Sequence, residues 1–362
     1  MNVFLVTKQA TGCCKWRGSI PAKYLAKRGH DVRFFTPGQR IDQTPDVVVF
    51  FRLDAKDCED AVLWCKSEGI AIVYDVDDAL DLVPAGNPSY TAARDRMPRY
   101  RFLLEQADVV TTTTPQIAEH LRALAGRDQV LILPNSVDPD EWPIAPRLPE
   151  RKELRVGWSG GASHFTDLGN VLAAIRDAQR RRGFSFAIQG FCEEASLEEM
   201  YAKHVSLYGD EFRRSGFAHE MMWFIRTLKE SGLEYEFYPT VPTDRHAARV
   251  RSLDLDIGIT PLMANPFNRC KSAVKFYELA MVGAAVLASD VEPYSDEVPA
   301  LARNNRLAWT NALLGLIDVD RTRLVREQRD WVLQNRNMER NVQSWEFAYR
   351  RAMERAQKRI AA

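Results

Sequence analysis

The chain carries no excess charge of either sign. Lys plus Arg and Asp plus Glu number 49 each in 362 residues, so overall charge gives no pull toward nucleic acid or an anionic membrane surface. Long apolar runs are missing, and no stretch approaches the length needed to span a bilayer. The start, MNVFLVTK, has no basic lead before its apolar residues, so it reads as a first strand rather than a secretory signal. Cysteine is scarce: the six residues Cys13, Cys14, Cys58, Cys65, Cys192 and Cys270 form no CxxC pair and no metal-ligand spacing. They are expected to be reduced thiols of a cytoplasmic protein, and no metal site is expected. There is no GxGxxG and no GxxxxGKS or GxxxxGKT, which argues against a dinucleotide oxidoreductase and a P-loop NTPase. Low-complexity sequence is absent.

What is present is a soluble, globular composition, 46% hydrophobic and 27% charged. The length exceeds what one ordinary core holds, so two domains are expected. Short apolar runs at Val3–Thr7, Val32–Phe35, Asp46–Phe51, Ile70–Tyr74, Val109–Thr113 and Val130–Leu133 alternate with helical stretches such as Ile20–Arg28, Ala55–Glu68, Arg94–Gln106 and Pro115–Ala125. That alternation predicts a doubly wound parallel sheet. Pro134–Pro149 is rich in Pro and polar residues and reads as a linker. The pattern then restarts, with strands at Leu154–Trp158, Phe184–Gln189, Glu234–Tyr238, Leu255–Thr260 and Ala284–Ser289, and helices at Asp167–Arg182 and Pro293–Arg303. The expected division is an N-terminal domain 1–142, a C-terminal domain 143–320 with a helical insertion at 191–231, and C-terminal helices 321–362.

Ligands of open parallel sheets bind at the carboxyl ends of the strands. Four features fall there. The first is the loop Ala10–Gly18, with Gly12, Lys15 and Arg17, whose cations suit an anionic acceptor or donor phosphates. The second is Asp75-Val76-Asp77-Asp78. Three acids in four positions exceed what a turn or cap needs, and Asp77 and Asp78 are candidates for acid/base work or hydroxyl recognition. The third is Ser159-Gly160-Gly161, where glycine lets the backbone approach a phosphate. His164 follows it, equally readable as a cap residue or a ligand.

The fourth feature is DIGITPLMANPFNRCKSAVKFYELAMVGAAVLASDVEPYSDE, Asp256–Glu297. A strand and a Pro/Asn loop lead into a helix expected to begin near Cys270. Lys271 and Lys275 would share one face of it, with Glu278 further along. A helix mouth offers unpaired N–H groups and a positive dipole end to a phosphate. Ser272 belongs to the same mouth. Glu278 lies deep enough to meet a sugar hydroxyl. The same spacing also suits a solvated helix face, and the location after the strand and loop favours the ligand.

Six stretches, in order, resemble one known family: KYLAKRGHDVRFF, IVYDVDD, ADVVTTTTPQIAEHL, LPNSVDPDEW, RVGWSGG and KSAVKFYELAMVGAAVLASDVEPYSDEV. Over nearly its whole length the chain is similar to GT-B-fold retaining glycosyltransferases, family 4-like, the class that includes glycogen synthases and bacterial mannosyl- and glucosyltransferases. FNRCKS, KFYE and YDVDDAL are similar to glycosyltransferase sequences found widely in bacteria and bacteriophages. The resemblance implies an α/β fold of two Rossmann-like domains facing across a cleft, with a C-terminal helix crossing back to the N-terminal domain.

It further implies transfer of a sugar from a nucleoside-diphosphate sugar, UDP- or GDP-linked, to a hydroxyl acceptor with retention. No cofactor is required. Glu278 would bind the ribose, and the helix mouth would cradle the diphosphate. The family often carries a second glutamate eight positions before Glu278, and here Cys270 stands there. Its N-terminal histidine is matched by Asp77. These departures leave two alternatives: a nucleotide-sugar-binding protein without turnover, and an epimerase on the same fold. The acceptor stays open among envelope glycan, lipid, protein and modified DNA base.

Overall fold

The strand Val47–Phe51, VVVFF, is buried at every residue. A continuous apolar run of this kind belongs to a parallel strand covered on both faces. It sits inside the first of two parallel sheets in a computed structural model that describes residues 1–7, 12–36, 39, 43–51, 58–126, 130–142 and 153–361. The first sheet comprises β1 (Asn2–Val6), β2 (Asp31–Phe35), β3 (Val47–Phe51), β4 (Ala71–Val76), β5 (Val109–Thr112) and β6 (Val130–Ile132), in the order β2-β1-β3-β4-β5-β6. The second comprises β7 (Arg155–Gly161), β8 (Ser185–Phe191), β9 (Glu236–Tyr238), β10 (Ile257–Thr260), β11 (Ala285–Ser289) and β12 (Leu301–Ala302), in the order β12-β11-β10-β7-β8-β9. Strand order reverses at β1/β3 in one sheet and at β7/β10 in the other. Both reversal points open a crevice at the strands' carboxyl ends.

Helices cover both sheets, as the α/β, two-domain Rossmann-like expectation requires. Several sequence expectations shift. Of the segment read as a loop after β1, Gly12–Cys14 is helical and Lys15–Ser19 is a π-helical turn leading into the helix Ile20–Lys27. β7 runs on through Ser159-Gly160-Gly161, so the glycines end a strand rather than form a separate loop. Pro293–Arg303 is not a helix: it holds a 3-10 turn, Tyr294–Asp296, and the short strand β12. The helix expected over Asp167–Arg182 is two pieces, Phe165–Gly169 and Leu172–Arg182. Within the expected linker, 143–149 lies outside the described residues, as do Ala10 in the first loop and the expected helix start at Ala55.

The C-terminal helices return to the N-terminal sheet through Val137. Val137 N–H donates to Arg336 O at 2.7 Å, and Met338 N–H donates to Val137 O at 3.0 Å. Before this crossing, Thr322–Asn335 stays on the second sheet, where Gln328 bonds both backbone groups of Val286 at 2.8 Å. After it, Met338–Ala361 lies on the first sheet and buries Trp345, Tyr349, Ala352 and Ala356. Only the second of the two helices in 321–362 therefore packs back on the N-terminal half.

The 191–231 stretch forms the helices Leu197–Arg213 and Gly216–Ser231. The second is built into the core. Phe224 meets Phe165 at 5.2 Å and Phe191 at 5.1 Å between ring centroids, so this hairpin is not a detachable appendage.

Candidate functional site

The two crevices face each other and enclose one cavity of about 400 Å³, a volume suited to a nucleotide-sized ligand. Gly12, Lys15, Trp16 and Trp142 line it from the N-terminal half, and Ser159–Gly161, Gln189, Thr240, Val241, Thr243, His246, Lys275 and Glu278 from the C-terminal half. Lys15 ties the halves together: its amine pairs with Glu141 and donates to Thr243 O at 3.3 Å.

Two glycines allow the strand ends to meet here. Gly190 has φ +110, and a Cβ on it would lie 1.9 Å from Gly160 O. A Cβ on Gly160 would fall 2.4 Å from the Trp158 ring and 2.9 Å from Lys275 Cε. Ser159 donates its hydroxyl to Gln189.

The Lys275 amine is 2.8 Å from His164 Nε2. His164 Nδ1 is 2.6 Å from Asp167 Oδ2. Asp167 Oδ1 accepts from Met263 N–H at 2.7 Å and from Asn268 Nδ2 at 3.2 Å. Burial, then the charges of Lys271 and Lys275, push His164 down to about 3 against the pull of Asp167, so the ring is neutral at pH 7. Burial, then Lys271, lower the Lys275 amine to about 7, with Asp167 and Glu278 opposing. Burial raises Asp167, yet its bond to His164 brings the carboxyl below its usual range.

Glu278 is buried, and its Oε1 lies 3.1 Å from His246 Nε2. Glu278 raises His246, with burial opposing. His246 also meets Trp142 edge-on at 6.5 Å.

The expected helix mouth is shorter than its sequence suggested. Asn265 caps a separate turn, Pro266–Arg269, by accepting from Asn268 N–H at 2.8 Å. The helix carrying Lys275 and Glu278 begins at Val274. Lys271 and Ser272 precede it and do not share its face. Lys271 lies over the Phe267 ring at 4.8 Å, and Ser272 accepts from Asn135 Nδ2 at 2.8 Å across the two halves. Cys270 is tucked into the hydrophobic core of the N-terminal sheet. Burial pushes its thiol up to about 11, so no acid group stands at this position.

Gly12 and Lys15 line the cavity; Arg17 does not. The residue is 1% exposed, and its guanidinium grips Asp75 at both oxygens, 2.9 and 2.7 Å, while also donating to Leu133 O and to Asn135 Oδ1 at 3.2 Å. Thr111 completes Asp75 at 2.6 Å, and Trp345 stacks on the guanidinium at 4.5 Å. With its donors spent inside the protein, Arg17 is unavailable to an acceptor. Asp77 and Asp78 lie outside the lining of this cavity. Asp77 is close enough to raise the Cys14 thiol after burial does, and Asp78 acts in the same way on Cys270.

Sequence reasoning missed Trp16, Trp142, Gln189, His246 and the role of Asp167. For Asp167 a signal existed, its i,i+3 spacing from His164 just after a glycine-ended strand. Among the described residues, no group of three or more His, Cys, Asp or Glu side chains is placed to hold a metal ion, and no helix is long and apolar enough to cross a membrane.

No protein-family model matches the chain, and no curated protein matches it. Solved structures do. Sucrose-phosphate synthase from Thermosynechococcus elongatus is 14% identical, with 97% of this chain and 98% of that chain covered and a TM-score of 0.66. Anabaena HepE in complex with UDP is 12% identical, with coverage of 96% and 99% and a TM-score of 0.63. An α,α-trehalose-phosphate synthase (UDP-forming) from Burkholderia vietnamiensis is 11% identical, with 97% of each chain covered and a TM-score of 0.62. The fold shared along nearly the whole chain is the GT-B fold, two Rossmann-like domains facing across a cleft.

Proposed function

We propose that the protein is a glycosyltransferase of the hexosyl type. In this reading it moves a sugar from a nucleoside-diphosphate sugar to a hydroxyl acceptor with retention of configuration. The observation that carries the reading is the convergence of Gly160, Gly161, Lys275 and Glu278 on one interdomain cavity. Two of the similar structures support the donor class: one holds UDP and another is named UDP-forming. Residues 1–142 would form the acceptor side, 143–320 the donor side, and 321–362 the C-terminal helices.

The donor's diphosphate would lie against Lys275, Gly160 and Gly161, with Lys271 and Ser272 at its outer edge. Its ribose would meet Glu278. Cations and a helix mouth aimed at the leaving diphosphate stabilise charge as it develops, and a closed cleft keeps water from the donor. Gly12 and Lys15 face the donor from the other wall, where an acceptor would enter. Asp77 and Asp78 would serve as acid/base or hydroxyl-recognition groups only after a movement that brings their loop to the cavity. UDP is the first donor to test, with GDP second. The acceptor classes are glycan, lipid, protein and modified DNA, and the protein would work in the cytoplasm with its thiols reduced.

Cys270 favours a second reading, a nucleotide-sugar-binding protein without turnover, because a neutral buried thiol occupies the place of an acid. Incubation with UDP-, GDP- and TDP-sugars separates the two. Transfer or slow donor hydrolysis supports the transferase. Binding without turnover supports the second reading, an epimerised donor would indicate an epimerase, and no binding to any of them overturns the whole proposal.

A further inference from the structure

The donor lysine is built into a chain of three side chains that hydrogen bonding to a ligand does not require. Asp167 accepts only, so the proton between it and His164 resides on Nδ1. In the neutral ring Nε2 is then bare and accepts from the Lys275 amine at 2.8 Å. The chain cannot slide, because Asp167 is fixed by Met263 N–H and Asn268 Nδ2 from the segment after β10. Gly160 gives the Lys275 stem its place beside β7, where a Cβ would lie 2.9 Å from Lys275 Cε.

We propose that Asp167 and His164 are positioning residues that hold the Lys275 amine at the cavity wall against a neutral partner, so that arrival of an anionic diphosphate is coupled to uptake of a proton on Lys275. The identity of the anion rests on the donor reading above; the state of the lysine does not.

The charges around Lys275 favour this coupling. Lys271, from the preceding segment, repels its ammonium, and burial acts in the same direction. The opposing acids are committed elsewhere: Asp167 is bonded to His164, and Glu278, on the same helix, is paired with His246. Across the cavity stand Lys15 and Glu141, paired with each other. Tyr294, near Asp167 and Glu278, is held neutral by burial first and then by those acids. With the amine lowered to about 7, Lys275 in the free protein is in part uncharged near neutrality. A sugar diphosphate diester has no group of its own titrating there. Bound beside Lys275 it favours the ammonium, so above pH 7 binding draws a proton from solvent. Affinity then falls as pH rises, by up to about ten-fold per pH unit.

Competitive acylation of lysines in the intact protein, read by mass spectrometry, tests the relay without a nucleotide. Lys275 should titrate near 7, and inorganic pyrophosphate should move its midpoint up by about one unit or more. Asp167→Asn removes a charge that supports the ammonium, so the midpoint should fall further. Calorimetry with UDP-glucose in buffers of different ionisation enthalpy should show proton uptake above pH 7 that disappears below it. His164→Leu should weaken that binding by roughly ten-fold or more, and His164→Gln, which keeps an acceptor, should recover it to within about three-fold. A Lys275 amine titrating at the ordinary lysine value, or unmoved by both the His164 and Asp167 substitutions, overturns the relay. A midpoint near 7 raised by pyrophosphate, with no nucleotide sugar bound, supports the relay and removes only the donor reading.

Discussion

Glu278 and His246 are already partners on the wall of the cavity, with Oε1 and Nε2 3.1 Å apart. A ribose arriving at Glu278 would meet a carboxyl group whose position is fixed on one side by the His246 ring. That arrangement orients the acid and leaves its second oxygen for hydroxyl groups. Glu278→Ala should weaken nucleotide-sugar binding by roughly 10- to 100-fold, matching the ~1.5–3 kcal/mol of a hydrogen bond to a charged group. Calorimetric affinity unchanged by the substitution would remove Glu278 from the donor site.

The same pair predicts a pH dependence of stability. Glu278 raises His246 above its usual value. A group whose folded pKa is raised contributes stability that is complete below its unfolded pKa, near 6.5, and is lost as pH rises through the folded value. The difference in unfolding temperature between the ligand-free protein and His246→Gln should therefore shrink as pH rises above about 6.5. A difference that grows with pH contradicts this sign.

The strands were legible because a parallel sheet covered on both faces writes itself as unbroken apolar runs, and Val47–Phe51 is buried along its whole length. Lys275 and Glu278 were singled out because a strand and loop lead into their helix, and both line the cavity. Leu301–Ala302 left no pattern; it is a strand only because β11 offers it an edge. The helix start was misplaced because Asn265 caps a separate turn and the N-terminal core takes Cys270, two facts that local spacing does not carry. Arg17 was expected to face an anionic acceptor or donor phosphates; it is instead spent on Asp75, a partner 58 positions away that local spacing does not reveal.

Arg17 and Asp75 form a buried pair, 0% and 1% exposed at the side chains, joining the turn after β1 to the end of β4. Removing one partner leaves an uncompensated buried charge, which costs about 3–5 kcal/mol. Arg17→Leu should lower the unfolding midpoint sharply in urea, and Trp345, stacked on the guanidinium, gives a local fluorescence signal. Asp75→Leu added to Arg17→Leu should recover part of the loss. If the double variant is destabilised by the sum of the single ones, the two residues are not coupled.

Gly160 and Gly161 should separate packing from ligand approach. A methyl group on Gly160 meets Trp158 and Lys275, whereas one on Gly161 meets nothing within 4 Å. Gly160→Ala should cost about 1–3 kcal/mol through overpacking and should weaken donor binding by displacing Lys275. Gly161→Ala should leave stability within about 0.5 kcal/mol of the wild type, as a surface substitution does. Its effect on nucleotide-sugar affinity then reports on the ligand alone. If the diphosphate rests on this backbone, the added methyl group occupies its space, and affinity falls by about ten-fold or more with no change in unfolding midpoint. Equal affinity in Gly161→Ala and wild type, measured by titration calorimetry at the same pH, would place the diphosphate away from the end of β7.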